Sequence, residues 1–245
     1  ADGSHVTLLV ETPKGYASLC RLLTEAHAHE RLNPRLDPAR LAEEGEGLVC
    51  LSGCARHGLA VSDANAAADL ARALGPDRFY VELQRPYERG DARRNAALRS
   101  LAETLGVRTV ATGDVHSHHP RRTRLQDVLV AVKNRTSLEG CEAERRGNRE
   151  SVLLAPHEAA ARFPDDPEAV RATVDLAERL TFDLTHELGY RYPDFSDGPT
   201  PADAQLAEVC RRAFEERYRH APHPHRMRAG ERLRQELALI AELGL

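Results

Sequence analysis

The chain has 245 residues, 41% of them hydrophobic and 29% charged, enough to bury a sizeable core as one large domain or two modest ones. No run of about eighteen apolar residues and no basic leader before an apolar core is present, so a membrane span and a secretory signal are not expected, and the cytoplasm is the expected compartment. A net charge of -4 gives no global attraction to nucleic acid, though it allows a local basic patch, and five cysteines at irregular spacings predict reduced thiols rather than a disulfide framework.

Apolar runs and helical periodicities then alternate. His5 to Val10 reads as a strand, and Gly15 to His27 as a helix with Tyr16, Leu19, Leu22, Leu23 and Ala26 at helical spacing. Gly47 to Gly53 is a second strand, followed by an alanine-rich helix from Ser62 to Leu74 that Gly75 and Pro76 end. Phe79 to Leu83 and Val107 to Thr112 are the third and fourth strands. A helix at Ala92 to Leu105 lies between them and another, Arg124 to Val132, follows. Strands alternating with helices of this length predict parallel pairing through right-handed crossovers. Ser137 to Arg149 reads as an exposed polar loop, and Pro156 to Phe163 and Pro167 to Leu180 as helices with proline near their starts. Tyr190 to Pro201 has the aromatics, Pro and Gly of an extended connection. Two charged amphipathic helices, Ala202 to Arg219 and Ala229 to Leu243, flank a segment whose His220, His223 and His225 read as a solvated loop rather than a metal site.

In a parallel sheet or β/α barrel, functional side chains collect where strands end. The second strand is followed by Cys54, Arg56 and His57; the third carries Glu82 and Gln84; the fourth leads to Asp114 and His116. Side chains of a strand alternate, so Asp114 and His116 project to one side, a carboxylate and an imidazole suited to a divalent cation. The same two residues also read as a capping aspartate and an ordinary loop histidine. Arg121, Arg122 and Arg124 follow directly, a cluster suited to phosphate contacts or to a solvated surface.

The succession HVTLLVETPKGYASLCRLLTEAH, GLVCLSGCARHG, FYVELQRPYERGDARRNAALRSLAETLGVRTVATGDVHSHHPRR and LQDVLVAV resembles the amino-terminal part of bacterial C-family DNA polymerases. ELQRP, ATGDVH, the RRGN of Arg145 to Asn148 and FDLTHELGYRYPDF most resemble the error-prone, damage-inducible branch. The resemblance implies an α/β fold: part of a polymerase and histidinol phosphatase (PHP) domain, a distorted β/α barrel, followed by helices leading into a polymerase palm. It places the later PHP portion with trailing helices at 1–190, a linker at 191–201 and the helical start of the palm at 202–245.

By the same resemblance His5, Cys54, Asp114 and His116 are expected metal ligands for Zn or Mn, the remaining ligands of the family being expected upstream. Glu82 is a candidate to support them, Arg56 and His57 to hold phosphate, and Arg121, Arg122 and Arg124 to contact DNA. The parent would be a translesion polymerase acting on DNA and deoxynucleoside triphosphates with Mg²⁺, with accessory mutagenesis proteins as possible partners and its catalytic carboxylates outside this chain. Two other classes stay open. A free-standing PHP-type phosphoesterase would need an early His-x-His strand, whereas His27 and His29 fall at the end of a helix. A non-catalytic module that positions DNA would rely on the arginine cluster.

Overall fold

A computed structural model describes residues 3–29, 33–189 and 200–243, which form two compact units, 1–187 and 188–245. The expected connection at 191–201 lies, except for Thr200 and Pro201, outside the described residues.

The first unit opens with β1 (Thr7–Val10), α1 (Pro13–Ala26), α2 (Pro38–Glu44) and β2 (Leu48–Leu51). The short α3 (Leu59–Ser62) and α4 (Ala64–Leu74) then lead to β3 (Phe79–Gln84), and α5 (Asp91–Leu105) leads to β4 (Arg108–Thr112). After the sheet come α6 (Thr123–Asn134), α7 (Pro156–Ala161), α8 (Pro167–Arg179) and a single turn, α9 (Leu184–Glu187). Side-chain oxygens start several helices by accepting otherwise unpaired amide protons: Thr12 from Gly15 at 3.1 Å, Asp37 from Ala39 at 2.9 Å, and Asp63 from Asn65 and Ala66 at 3.0 Å. The Asp37 cap and Pro38 announce α2, which apolar periodicity alone does not reveal.

The strands lie in the order β1-β2-β3-β4. β2, β3 and β4 are parallel, as the alternating pattern predicts, but β1 pairs antiparallel to β2, with Val10 opposite Leu48 and Thr7 opposite Leu51. The expectation of wholly parallel pairing fails here: α1 and α2 bring the chain back antiparallel, whereas α3 and α4 carry it across to a parallel β3. The chain therefore re-enters the sheet at the end where β1 leaves it, and Glu11 N donates to Gly47 O at 2.9 Å.

Strand alternation sorts the core into two faces. Leu48, Cys50, Phe79, Val81, Leu83 and Ala111 join Leu22, Leu41, Leu70, Leu74, Leu98 and Ala102 from α1, α2, α4 and α5. Val49, Leu51, Tyr80 and Val110 meet Leu176 of α8 on the other side. α8 also covers the outer edge of β4, where the Thr173 hydroxyl donates to Ala111 O at 2.8 Å. At its far end Arg179 binds Glu11 at 2.8 Å and the Tyr80 hydroxyl at 2.7 Å. No described helix is long and apolar enough to cross a membrane.

In the second unit α10 (Ala202–Arg217) and α11 (His223–Leu243) pair through Phe214, which stacks on Tyr218 at 4.9 Å and carries the Arg226 guanidinium 5.9 Å above its ring. α11 begins six residues before the expected Ala229, so His223 and His225 belong to a helix rather than to a solvated loop. Pro224 is tolerated there because the first turn has no intrahelical amide partner to lose.

Fully buried Leu83 and half-exposed Leu129 give opposite expectations. Leu83→Ala should cost about 2–5 kcal/mol in urea unfolding, Leu129→Ala less than about 0.5 kcal/mol. Cys50 offers a chemical check: burial, and then the charge of Glu82, push its thiol up to about 12. In the native state at pH 8, iodoacetamide should modify exposed Cys20 and leave Cys50 intact until the chain unfolds, read by peptide mass spectrometry.

Candidate functional site

The exits of β2, β3 and β4 form one rim. At the β2 exit the chain turns at Gly53, whose φ is +93° and whose hypothetical Cβ would stand 2.2 Å from His5 O, so only glycine permits this approach. His5 is fixed by its backbone, donating to His57 O at 3.0 Å and accepting from Leu59 N at 2.9 Å. These contacts bring His5 and Cys54 together: Cys54 N donates to His5 Nε2 at 3.4 Å, and His57 N lies 3.4 Å from Cys54 Sγ. The His57 side chain is at the surface.

Below the rim, β3 turns from apolar to polar. Glu82 and Gln84 share a face with Thr112 of β4, and all three interlock: Gln84 Nε2 donates to Glu82 Oε1 at 2.8 Å and to Thr112 Oγ1 at 2.9 Å, while Thr112 Oγ1 donates to Glu82 Oε1 at 2.5 Å. Gln84 Oε1 accepts from Ala55 N at 2.8 Å, and Ser52 Oγ from Glu82 N at 2.9 Å, tying the network to the β2 exit. Glu82 is buried, and its second carboxylate oxygen has no hydrogen-bond partner.

At the β4 exit Asp114 adopts φ +45°, uncommon for any residue but glycine. Asp114 and His116 do meet, at 3.2 Å, but through this turn and not through strand alternation, since β4 ends at Thr112. The third member of the group is Arg146. Its Nη1 stands 2.5 Å from Asp114 Oδ2, and its Nη2 reaches His116 Nε2. That ring nitrogen faces both a carboxylate and a guanidinium, and one tautomer satisfies only one of them. Burial pushes the Asp114 carboxyl up, but the hydrogen bond with His116 and the charges of Arg146, His116 and Arg56 outweigh it and hold the group below the usual carboxylate range.

Arg146 belongs to the stretch read from sequence as an exposed loop. The structure bears out the exposure of most of the segment and adds that Cys141 is buried and Arg145, Arg146 and Asn148 half-buried, where the segment is strapped across all three exits. Arg56, from the β2 exit, donates to the carbonyls of Arg145 at 3.3 Å and Arg146 at 3.4 Å while paired with Glu88 at 2.9 Å. Asn148 Nδ2 donates to Pro86 O at 2.7 Å, and His116 N and Ser117 N donate to Ser151 O at 2.9 and 3.2 Å. Cys141 is buried at its start. The sequence signal for this strap is the compact RRGN, whose Gly147 sits at φ +74°.

The four expected ligands are thus placed as two pairs, His5 with Cys54 and Asp114 with His116. Among the described residues no three His, Cys, Asp or Glu side chains converge as a metal ion requires, and Asp114 is engaged by an arginine. By themselves these residues make no converging ligand set among the described residues. Arg56, the expected phosphate holder, is committed to Glu88 and the strap. Arg121 and Arg122 are exposed just before α6 and Arg124 in its first turn, and His27 and His29 are exposed beyond α1.

Comparison with known proteins agrees with the α/β architecture. Residues 1–86 match the PHP domain. An error-prone DNA polymerase of Symbiobacterium thermophilum is 34% identical over 99% of this chain, and one of Mycolicibacterium paratuberculosis is 35% identical over 98%. The chain is homologous to error-prone DNA polymerases. A third, from Rhodopseudomonas palustris, is 38% identical over 70% of the chain. This chain spans about a quarter or less of the length of these relatives: 24% of the Symbiobacterium polymerase, 23% of the Mycolicibacterium one and 14% of the Rhodopseudomonas one. The PHP match covers β1 through the end of β3, including the Cys54 turn and Glu82 and Gln84, but not Thr112.

The Arg146 pair yields a stability expectation with a definite sign. Asp114 and Arg146 side chains are 10% and 18% exposed, so Arg146→Gln strands a mostly buried carboxylate and should cost roughly 2 kcal/mol at neutral pH, between the exposed and fully buried cases. A carboxyl lowered by folding contributes stability above its unfolded value and loses that contribution as pH falls through its folded value. The gap between wild type and Arg146→Gln in urea unfolding should therefore narrow on acidification below the ordinary aspartate range; a gap unchanged with pH would contradict the pairing.

Proposed function

We propose that this chain is the PHP-containing portion of an error-prone DNA polymerase and serves it as a scaffold. The carrying observation is similarity to error-prone DNA polymerases over 98–99% of the chain. In this reading the parent acts on DNA and deoxynucleoside triphosphates in translesion synthesis and repair, in the cytoplasm, with accessory mutagenesis proteins. Nucleotidyl transfer, and the Mg²⁺ that two-metal transfer uses, belong to the larger part of such polymerases that lies outside this span. The helices from Ala202 onward are read as the approach to the palm.

The role left to the first unit is mechanical. A sheet packed on both faces carries a rim whose exits are tied down by Arg56, Asn148 and Arg146, and such a body holds adjoining parts of a polymerase in fixed geometry. The two-pair arrangement at the rim supports scaffold over hydrolase, because phosphoester cleavage by metal-bound water needs a converging donor set.

Primer extension with the 245-residue chain, Mg²⁺ and all four deoxynucleoside triphosphates should give no product, and extension by this chain alone would overturn the proposal. Hydrolysis of p-nitrophenyl phosphate with Mn²⁺ should likewise stay at the level of the Asp114→Asn variant. Turnover abolished by that substitution would instead establish a free-standing phosphoesterase.

A further inference from the structure

α6 is the described helix of the first unit whose apolar side faces outward. Of its twelve residues only Ala131 is buried, while Leu125, Val128, Leu129 and Val132 are 51%, 45%, 53% and 66% exposed. They recur at i, i+3, i+4 and i+7, so at 100° per residue they fall within about 100° of arc and form one stripe. Single exposed aliphatic residues are ordinary on protein surfaces; four aligned on one helix form a contact face.

The charges around the stripe have one sign. Arg121 and Arg122 precede the helix, Arg124 borders the stripe on one flank and Lys133 on the other, and Arg135 closes the end. None of these five cations has an acidic partner among the described residues. The helix has a single acid, Asp127, which lies on the opposite side and is 4.0 Å from Arg145. The cations are therefore not neutralised within the fold.

We propose that α6 is a docking surface for an acidic amphipathic helix of a partner protein, its apolar side covering Leu125, Val128, Leu129 and Val132 and its carboxylates meeting the arginines and Lys133. Charge decides among occupants. A second copy docked through the same face would set cations against cations. Nucleic acid would satisfy the arginines but leave four aliphatic side chains against phosphates and water, since phosphate contacts bury no apolar surface. A helix with aliphatic residues at matching spacing and Asp or Glu on its flanks satisfies both sets at once, the helix-in-groove mode of recognition.

The test titrates the full 245-residue chain by fluorescence anisotropy with three labelled probes: a twenty-residue helical peptide bearing leucines at i, i+3, i+4 and i+7 flanked by glutamates, a scramble of that peptide with its leucines dispersed around the helix, and a duplex DNA of twenty base pairs. The amphipathic peptide should bind at least about tenfold more tightly than the scramble. Val128→Asp with Val132→Asp, both at exposed positions, should weaken it at least tenfold while the circular dichroism spectrum is unchanged. Arg121→Gln, Arg122→Gln and Arg124→Gln together should flatten the salt dependence. Equal affinity for the two peptides, or indifference to the valine substitutions, would overturn the proposal. So would DNA that displaces the peptide and is released by the arginine substitutions alone, or a dimer in sedimentation velocity that the valine substitutions dissolve, which would make the occupant a second copy.

Discussion

Every residue of β3 is buried, and much of the first unit is arranged around that constraint. A strand closed off on both faces needs a layer on each side, which α4 and α5 provide on one and α8 on the other. It also needs partners for whatever polar groups it carries, because an unpaired polar group away from water costs more than a hydrogen bond returns. Phe79 to Val81 meet the first demand with apolar packing. Gln84 and one carboxylate oxygen of Glu82 meet the second by recruiting Thr112 and the Ala55 amide, with Ser52 taking the Glu82 amide, while the other Glu82 oxygen stays unpaired; the network ties three strands together immediately under the rim.

Arginine does much of the fastening. With Lys14 and Lys133 as the only lysines, nearly every cation is a planar fork able to serve a carboxylate and a backbone carbonyl together. Arg56 joins Glu88 to two carbonyls of the strap, Arg162 holds both the carboxylate and the carbonyl of Glu150, and Arg94 bridges Asp91 and Gln84 O. Arg146 fits this habit: at the Asp114 turn it sets its guanidinium against the Asp114 carboxylate and the His116 ring. The PHP framework thus holds its rim with side chains of its own.

The four strands were legible because each is a short apolar run bounded by turn residues, and α4 and α5 because their buried faces recur at helical spacing. α2 escaped because seven residues with one buried leucine, Leu41, show no periodicity, and the reversal of β1 escaped because a two-helix connection joins antiparallel strands here and parallel ones between β2 and β3. At the site, Asp114 and His116 were found as neighbours for a reason other than the one their spacing suggests: the backbone turns at φ +45° after the strand has ended. The attachments of the strap were hidden for a deeper reason, although RRGN marks its turn. Its attachments are carbonyls, Asn148 and arginines, and neither composition nor period distinguishes those from a solvated loop.

The strap has a consequence for how the rim moves. One segment is tied to the exits of β2, β3 and β4, so releasing any one tie does not free it, and freeing it undoes all three. Local opening of such a segment is cooperative. The Asp114 turn, the Arg56 anchor and the Pro86 contact are then parts of one latch, and the amides of His116, Ser117 and Leu153, which are bonded across to the facing segment, are expected to exchange through its common opening.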